Sequence, residues 1–126
     1  MSRVSDVVVD CEHPAVIARF WAGVLDGYQV APYDYVELER LRSLGIDSPE
    51  DDPTVLVEGP VGLPRYFFVR VPERKVVKNR VHLDIRADDQ DAEVRRLIGL
   101  GAHVLHDRSD WTTMADPEGN EFCVLR

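Results

Sequence analysis

Basic residues are in short supply: 15 lysines and arginines face 23 aspartates and glutamates, a formal net charge of −8 over 126 residues. An acidic surface repels phosphate backbones and anionic lipid, so nucleic acid and membrane are excluded as expected partners. Cysteine is scarce as well. Cys11 and Cys123 have no CxxC spacing, which excludes a zinc ribbon or a dense disulfide framework, although a single bridge between the two stays compatible with the sequence. Apolar runs last only a few residues, far short of the roughly 20 that span a bilayer. The first residues show neither the apolar region nor the cleavage site of a signal peptide. The expectation is a cytoplasmic protein with reduced thiols. Also missing are a GxSxG elbow, a Walker loop and a GxGxxG turn after a strand.

What is present suffices for a core. A hydrophobic fraction of 44% in a chain of this length predicts a single globular domain rather than disorder. Residues 4–10, with Val7, Val8 and Val9 consecutive, read as a strand. Pro14 then opens a helix, where its missing N–H costs little. Val16, Ile17, Phe20, Trp21, Val24 and Leu25 fall on one face of that helix, and Gly27 stops it. A second strand begins at 28–30. Asp34 and Glu37 form a capping-box-like pair ahead of a short helix at about 35–44, with Gly45 as its stop. Residues 48–53 read as a polar loop. Strands at 55–57 and 66–71 flank a turn containing Gly59-Pro60-Val61-Gly62.

Residues 72–79 read as a basic linker, after which the order restarts. A strand is predicted over 80–87, a helix from about 89 to 100, Gly101 as its stop, and strands at 102–105, near 111–115 and at 120–125. Laying 18–30 over 92–104 places Gly27 on Gly101 with little residue identity. The shared strand–helix–Gly–strand order points to two copies of a βαβββ unit. Module 1 would span about 1–71 and module 2 about 80–126.

Side chains alternate across a strand, so parity sorts the polar groups. In the 81–86 segment, Val81, Leu83 and Ile85 suit a helix-covered face, which leaves His82, Asp84 and Arg86 opposite. In the last strand Phe122 and Val124 point to the helix, with Glu121, Cys123 and Leu125 opposite. In the first strand, Val7 and Val9 leave Asp6, Val8 and Asp10 on the other side. An inward polar face needs water, a ligand, a metal or mutual pairing, whereas an ordinary antiparallel sheet may have one wet face. Phe68 and Trp111 are candidate apolar walls for a small ligand, with core packing as the plainer role. His103 and His106 read as solvated residues at a strand end.

Three motifs carry a resemblance. Asp116-Pro117-Glu118-Gly119-Asn120-Glu121-Phe122 resembles the DPxGN/H turn that precedes the last strand of vicinal oxygen chelate (VOC) proteins, a superfamily that includes glyoxalase I, extradiol dioxygenases, and fosfomycin and bleomycin resistance proteins. Phe20-Trp21-Ala22-Gly23-Val24-Leu25 resembles the superfamily's first-helix pattern. Lys78-Asn79-Arg80-Val81-His82-Leu83-Asp84, with Val71-Pro72-Glu73 upstream, is similar to a glyoxalase-like subfamily common in actinobacteria. The resemblance spans nearly the whole chain and implies an α+β fold: two βαβββ modules forming a cupped mixed sheet with helices outside. It further implies a homodimer.

The resemblance also implies a divalent metal (zinc, nickel, manganese or iron) with ligands on the first, fourth, fifth and last strands. The fifth-strand histidine falls on His82, and the first-strand ligand on Asp6, where the superfamily usually places His or Gln. The last-strand glutamate position falls on Cys123, while the actual carboxylate is Glu121, two residues earlier on the same face. Residues 66–70 offer no fourth-strand ligand. The implied function is binding of a small organic molecule in the cupped sheet, with metal-assisted or acid–base lyase or isomerase chemistry. His82 and Glu121 would be the catalytic pair, His82, Glu121 and Asp6 the metal ligands, and Asp84, Arg86, Cys123, Phe68 and Trp111 the pocket. The alternative is a metal-free, non-catalytic binding protein of the antibiotic-sequestering kind. The missing ligands favour the alternative, and the retained His82 and Glu121 favour the enzyme.

Overall fold

The computed structural model describes residues 1–126, which fall into two compact units, Met1–Arg74 and Lys75–Arg126. The first unit comprises β1 (Asp6–Cys11), α1 (Pro14–Val24), β2 (Gln29–Val30), α2 (Tyr35–Ser43), a 3-10 turn (Pro49–Asp51), β3 (Thr54–Glu58) and β4 (Arg65–Arg70). The second comprises β5 (Asp84–Arg86), α3 (Gln90–Leu100), β6 (His103–Asp107), β7 (Trp111–Ala115) and β8 (Glu121–Leu125). The sheets run β1-β4-β3-β2 and β5-β8-β7-β6. In each, the first and last strands pair parallel and the remaining pairs are antiparallel. This is an α+β fold of two βαβββ modules, each with a four-stranded mixed sheet, and three α-helices in all.

Local chemistry explains the elements. Pro14 occupies the first turn of α1, which buries Ile17, Ala18, Phe20, Trp21 and Val24 and packs on β2, β3 and β4. Phe20 and Trp21 meet edge to face at 5.4 Å, a favoured aromatic geometry. Asp34 caps α2 by accepting from the Glu37 N–H at 2.9 Å, and Asp89 caps α3 by accepting from the Ala92 N–H at 2.9 Å, each satisfying a donor left over at a helix start. Gly27 and Gly101 both have positive φ, 74° and 116°, a region that penalises a Cβ. The sequence overlay thus matches a shared backbone conformation. Phe68, Val55 and Val57 complete the core of the first unit, while Leu97, Met114, Phe122 and Val124 are fully buried in the second.

Two expectations need correction. The strand predicted over 80–87 shrinks to Asp84–Arg86, the three residues that pair with Cys123, Val124 and Leu125. Upstream, Asn79 bonds Asn120 and Glu121 at the turn before β8, so residues 79–83 follow that turn instead of extending the ladder. Residues 48–53, read as a loop, contain the 3-10 turn, with Pro49 at its start and Ser48 accepting from the Glu50 N–H. Cys11 and Cys123 are both buried and form no disulfide. No helix is long and apolar enough to cross a membrane.

Candidate functional site

The site is built from the Asp116 turn upward. Asp116, 1% exposed, accepts through Oδ1 from the Glu118 and Asn120 backbone N–H groups at 2.9 Å each. Its carbonyl accepts from the Gly119 N–H at 2.9 Å. Gly119 supplies the positive φ, 85°, that closes the turn. The DPEGN motif is therefore a self-bonded turn that fixes the first residue of β8. From that start, strand parity buries Phe122 and Val124 and directs Glu121, Cys123 and Leu125 into a cavity of about 700 Å³ in the second unit.

That cavity is lined by apolar Val76, Val77, Leu105, Trp111 and Leu125 and by polar His82, Asp84, His106, Thr113, Glu121, Cys123, Lys75 and Lys78. Its volume lies within the usual range for small-molecule sites, and apolar walls with a few convergent polar groups are their usual character. His82 Nε2 lies 3.3 Å from Asp84 Oδ1. Donor atoms of His82, Asp84 and Cys123 all lie within 4.8 Å of one another, and the Cys123 sulfur is 3.5 Å from the Thr113 hydroxyl.

Glu121 is differently occupied. Lys75 Nζ lies 2.8 Å from one carboxylate oxygen, and the Asn79 N–H donates to the other at 3.0 Å. Burial pushes the Glu121 pKa up, but the Lys75 hydrogen bond, the backbone N–H donors and the Lys75 charge outweigh it. The net result is a pKa below the ordinary glutamate value.

Of the residues singled out in the sequence, His82, Asp84, Glu121, Cys123 and Trp111 line this one cavity. Arg86 does not. It is exposed, and its guanidinium donates to the Arg126 carbonyl. Phe68 is not a pocket wall. It is 0% exposed in the core of the first unit, because its strand parity is opposite to that of Phe67. Asp6 belongs to the first unit and accepts from Arg65 Nε at 2.7 Å; this hydrogen bond is the main cause of its lowered pKa. Within the family-derived ligand set of His82, Glu121 and Asp6, each carboxylate is paired with a basic side chain, Lys75 for Glu121 and Arg65 for Asp6. Sequence reading missed Lys75, treated as linker, and His106, treated as solvated. Neither carries a local signal; each reaches the cavity only through the tertiary fold.

The first unit holds a smaller cavity, about 400 Å³, lined by Tyr33, Glu37, Arg40, Asp52, Thr54, Leu56 and Phe67 among others. Its polar groups satisfy one another. Asp52 Oδ2 accepts from the Tyr33 hydroxyl at 2.8 Å and from Arg40 at 2.9 Å, Asp52 Oδ1 accepts from the Thr54 N–H at 3.0 Å, and Arg40 also bonds Glu37 at 2.9 Å. Burial, then the hydrogen bond to Asp52, raises the Tyr33 pKa.

A fold of paired βαβββ modules with a polar cluster on the open face of one sheet defines a glyoxalase-like class of protein. The chain belongs to the glyoxalase-like domain family, which matches residues 6–125, within the VOC superfamily. No functionally curated protein matches the sequence. Among solved structures, a glyoxalase/bleomycin resistance protein/dioxygenase family enzyme from Burkholderia phytofirmans is 17% identical, with 98% of this chain and 97% of that one covered and a TM-score of 0.67. A fosfomycin resistance protein from Mesorhizobium loti is 14% identical over 99% and 91%, with a TM-score of 0.66. The trypanothione-dependent glyoxalase I of Leishmania major is 15% identical over 100% and 87%, with a TM-score of 0.64. At these identities the likeness is one of fold.

Proposed function

We propose that this protein binds a small organic molecule in the second-unit cavity, with Trp111 as the principal apolar wall and His82, Asp84 and Lys78 as its polar contacts. The observation that carries this reading is the cavity itself: about 700 Å³, with apolar walls and a polar cluster gathered on one sheet face. The solved structures of similar fold include a resistance protein and glyoxalase-type enzymes, which supports a small-molecule role for the fold without naming the ligand.

Binding is better supported than proton transfer by Glu121. That carboxylate is held ionised and would have to break its contacts with Lys75 and Asn79 before taking up a proton. A second reading, acid–base catalysis by His82, is favoured by one contact: Asp84 Oδ1 stands 3.3 Å from His82 Nε2, where a carboxylate can orient a histidine general base. Here His82 would move the proton and Asp84 would hold the ring.

The test is a ligand-observed NMR screen of small organic fragments against chelator-treated full-length protein. Hits are expected to lose about tenfold in affinity in Trp111→Ala, equivalent to about 1.4 kcal/mol, and to be indifferent to Tyr33→Phe in the other cavity. Absence of hits, or hits unmoved by Trp111→Ala, would overturn the proposal. Turnover of a hit that His82→Ala abolishes would establish the catalytic reading.

A further inference from the structure

We propose that the ligand of the second-unit cavity is an elongated amphipathic monocarboxylate, its acid group taken by Lys78 and its apolar end laid against Trp111. This inference rests on the small-molecule reading above and adds the ligand class to it. Lys75 and Lys78 are the only lysines in the chain, and both line this one cavity. Two carboxylates, Asp84 and Glu121, line it as well. The sign of the ligand therefore depends on which of these charges the protein has already paired.

Lys75 is committed within the protein. Its ammonium lies 2.8 Å from a Glu121 oxygen and donates to the Val77 carbonyl at 2.6 Å. The Asn79 N–H holds the other Glu121 oxygen at 3.0 Å, and the Asn79 side-chain amide donates to Asn120 Oδ1 at 3.0 Å. Residues 75–79 are thus tied at both ends to the start of β8, and Lys78 is presented between the ties. Asp84 faces His82, with Oδ1 3.3 Å from Nε2. Lys78 is exposed and pairs with no carboxylate, so it is the lining charge left for a ligand. An ammonium beside apolar walls attracts an anion more strongly than one surrounded by water, because the local dielectric is lower.

Strand register sets the ligand's shape. Lys78 precedes Asn79, whose N–H is on Glu121, so Lys78 belongs to the Glu121 end of β8. Trp111 pairs with Leu125 at the other end. Glu121 and Leu125 are the first and last residues of β8, about 13 Å apart at roughly 3.3 Å per residue. The free charge and the main apolar wall therefore stand at opposite ends of the cavity, and Trp111 keeps 39% of its surface exposed to receive an apolar group. A compact anion would reach only the lysine, and a neutral apolar molecule only the tryptophan. A carboxylate joined by a chain to a ring engages both, with a charge-assisted hydrogen bond at Lys78 and apolar burial at Trp111.

The experiment is calorimetric titration of the full-length protein with phenylacetate, phenylbutyrate and phenylhexanoate, each beside its neutral primary amide, at low and at raised salt. Each acid should bind about tenfold tighter than its amide, and affinity should rise with chain length. Salt should shrink the acid preference, since it screens the charge on Lys78. Lys78→Gln should bring each acid down to the affinity of its amide. Glu121→Gln, which removes a negative charge and releases Lys75, should enlarge the preference, whereas Trp111→Ala should weaken the longer acids and amides alike. Lys78 is exposed, so its variant folds. Acids no tighter than amides, a preference that survives Lys78→Gln, affinity that falls with chain length, or no binding by any of the series would overturn the proposal. Neutral hits in the fragment screen that respond to Trp111→Ala, without an acid preference here, would keep the small-molecule reading and sink this one. Absence of hits in both experiments would sink both.

Discussion

The two units share a strand order and a parallel first–last strand pair, yet their cavities have opposite chemistry. In the first, every charged group is matched: Asp52 takes Arg40, Tyr33 and the Thr54 N–H, and Glu37 takes the rest of Arg40. In the second, Glu121 is held by Lys75 and the Asn79 N–H, while His82, Asp84 and Cys123 cluster beside apolar walls with only the 3.3 Å His82–Asp84 contact and the 3.5 Å Cys123–Thr113 contact between polar side chains. The difference traces to one connection. Between β2 and β3 the first unit inserts α2 and a 3-10 turn, which bring Glu37, Arg40 and Asp52 to its cavity. Between β6 and β7 the second unit has only residues 108–110. In the same scaffold, polar groups pair with one another where an insertion supplies partners, and gather beside apolar walls where none does.

The comparison can be broken first at its common foundation. Phe68 on β4 and Phe122 on β8 are both fully buried, so Phe68→Ala and Phe122→Ala should each cost about 3–5 kcal/mol by urea denaturation. A much smaller loss in either unit would show that its core is not packed as described. Next in size is Asp52→Ala, which orphans Arg40 and the Tyr33 hydroxyl. A loss of about 2–3 kcal/mol is expected, tempered by the partial exposure of Arg40. A neutral result would deny the first cavity its structural role.

Smaller again is Lys75→Met, which leaves a largely buried Glu121 without its cation, at about 1–2 kcal/mol near neutral pH. Its pH dependence sharpens the point. The folded pKa of Glu121 is below its unfolded value, near 4.5. Its contribution is therefore fully present above that value and is lost as pH falls through the lower folded value. The gap in stability between wild type and Lys75→Met should accordingly close in acid. A gap that persists well below pH 4 would mean that the lysine acts through packing rather than charge.

Much of this was legible along the chain. Apolar spacing in α1, the caps Asp34 and Asp89, and the stops Gly27 and Gly101 are local signals, each readable because the physics acts within a turn or two. Parity alone placed His82 with Asp84, and Glu121 with Cys123, on one side of their strands. What parity could not show is which of those carboxylates was already spoken for. Lys75 looks like linker in sequence, and only the Asp116 turn, with Asn79 bonded across it, brings it to Glu121. Phe68 looked available because a strand aromatic has two possible faces, and which one α1 covers is settled by packing.

The sequence by itself determined the modules, their order and the alternation of their side chains, because hydrogen-bonded periodicity and capping are short-range effects. The tertiary structure alone decided the partners: Asp6 with Arg65, Glu121 with Lys75, and the grouping of His82, Asp84 and Cys123. Ion pairs and ligand clusters depend on distances of a few ångströms between residues far apart in the chain, and only strand register fixes those distances.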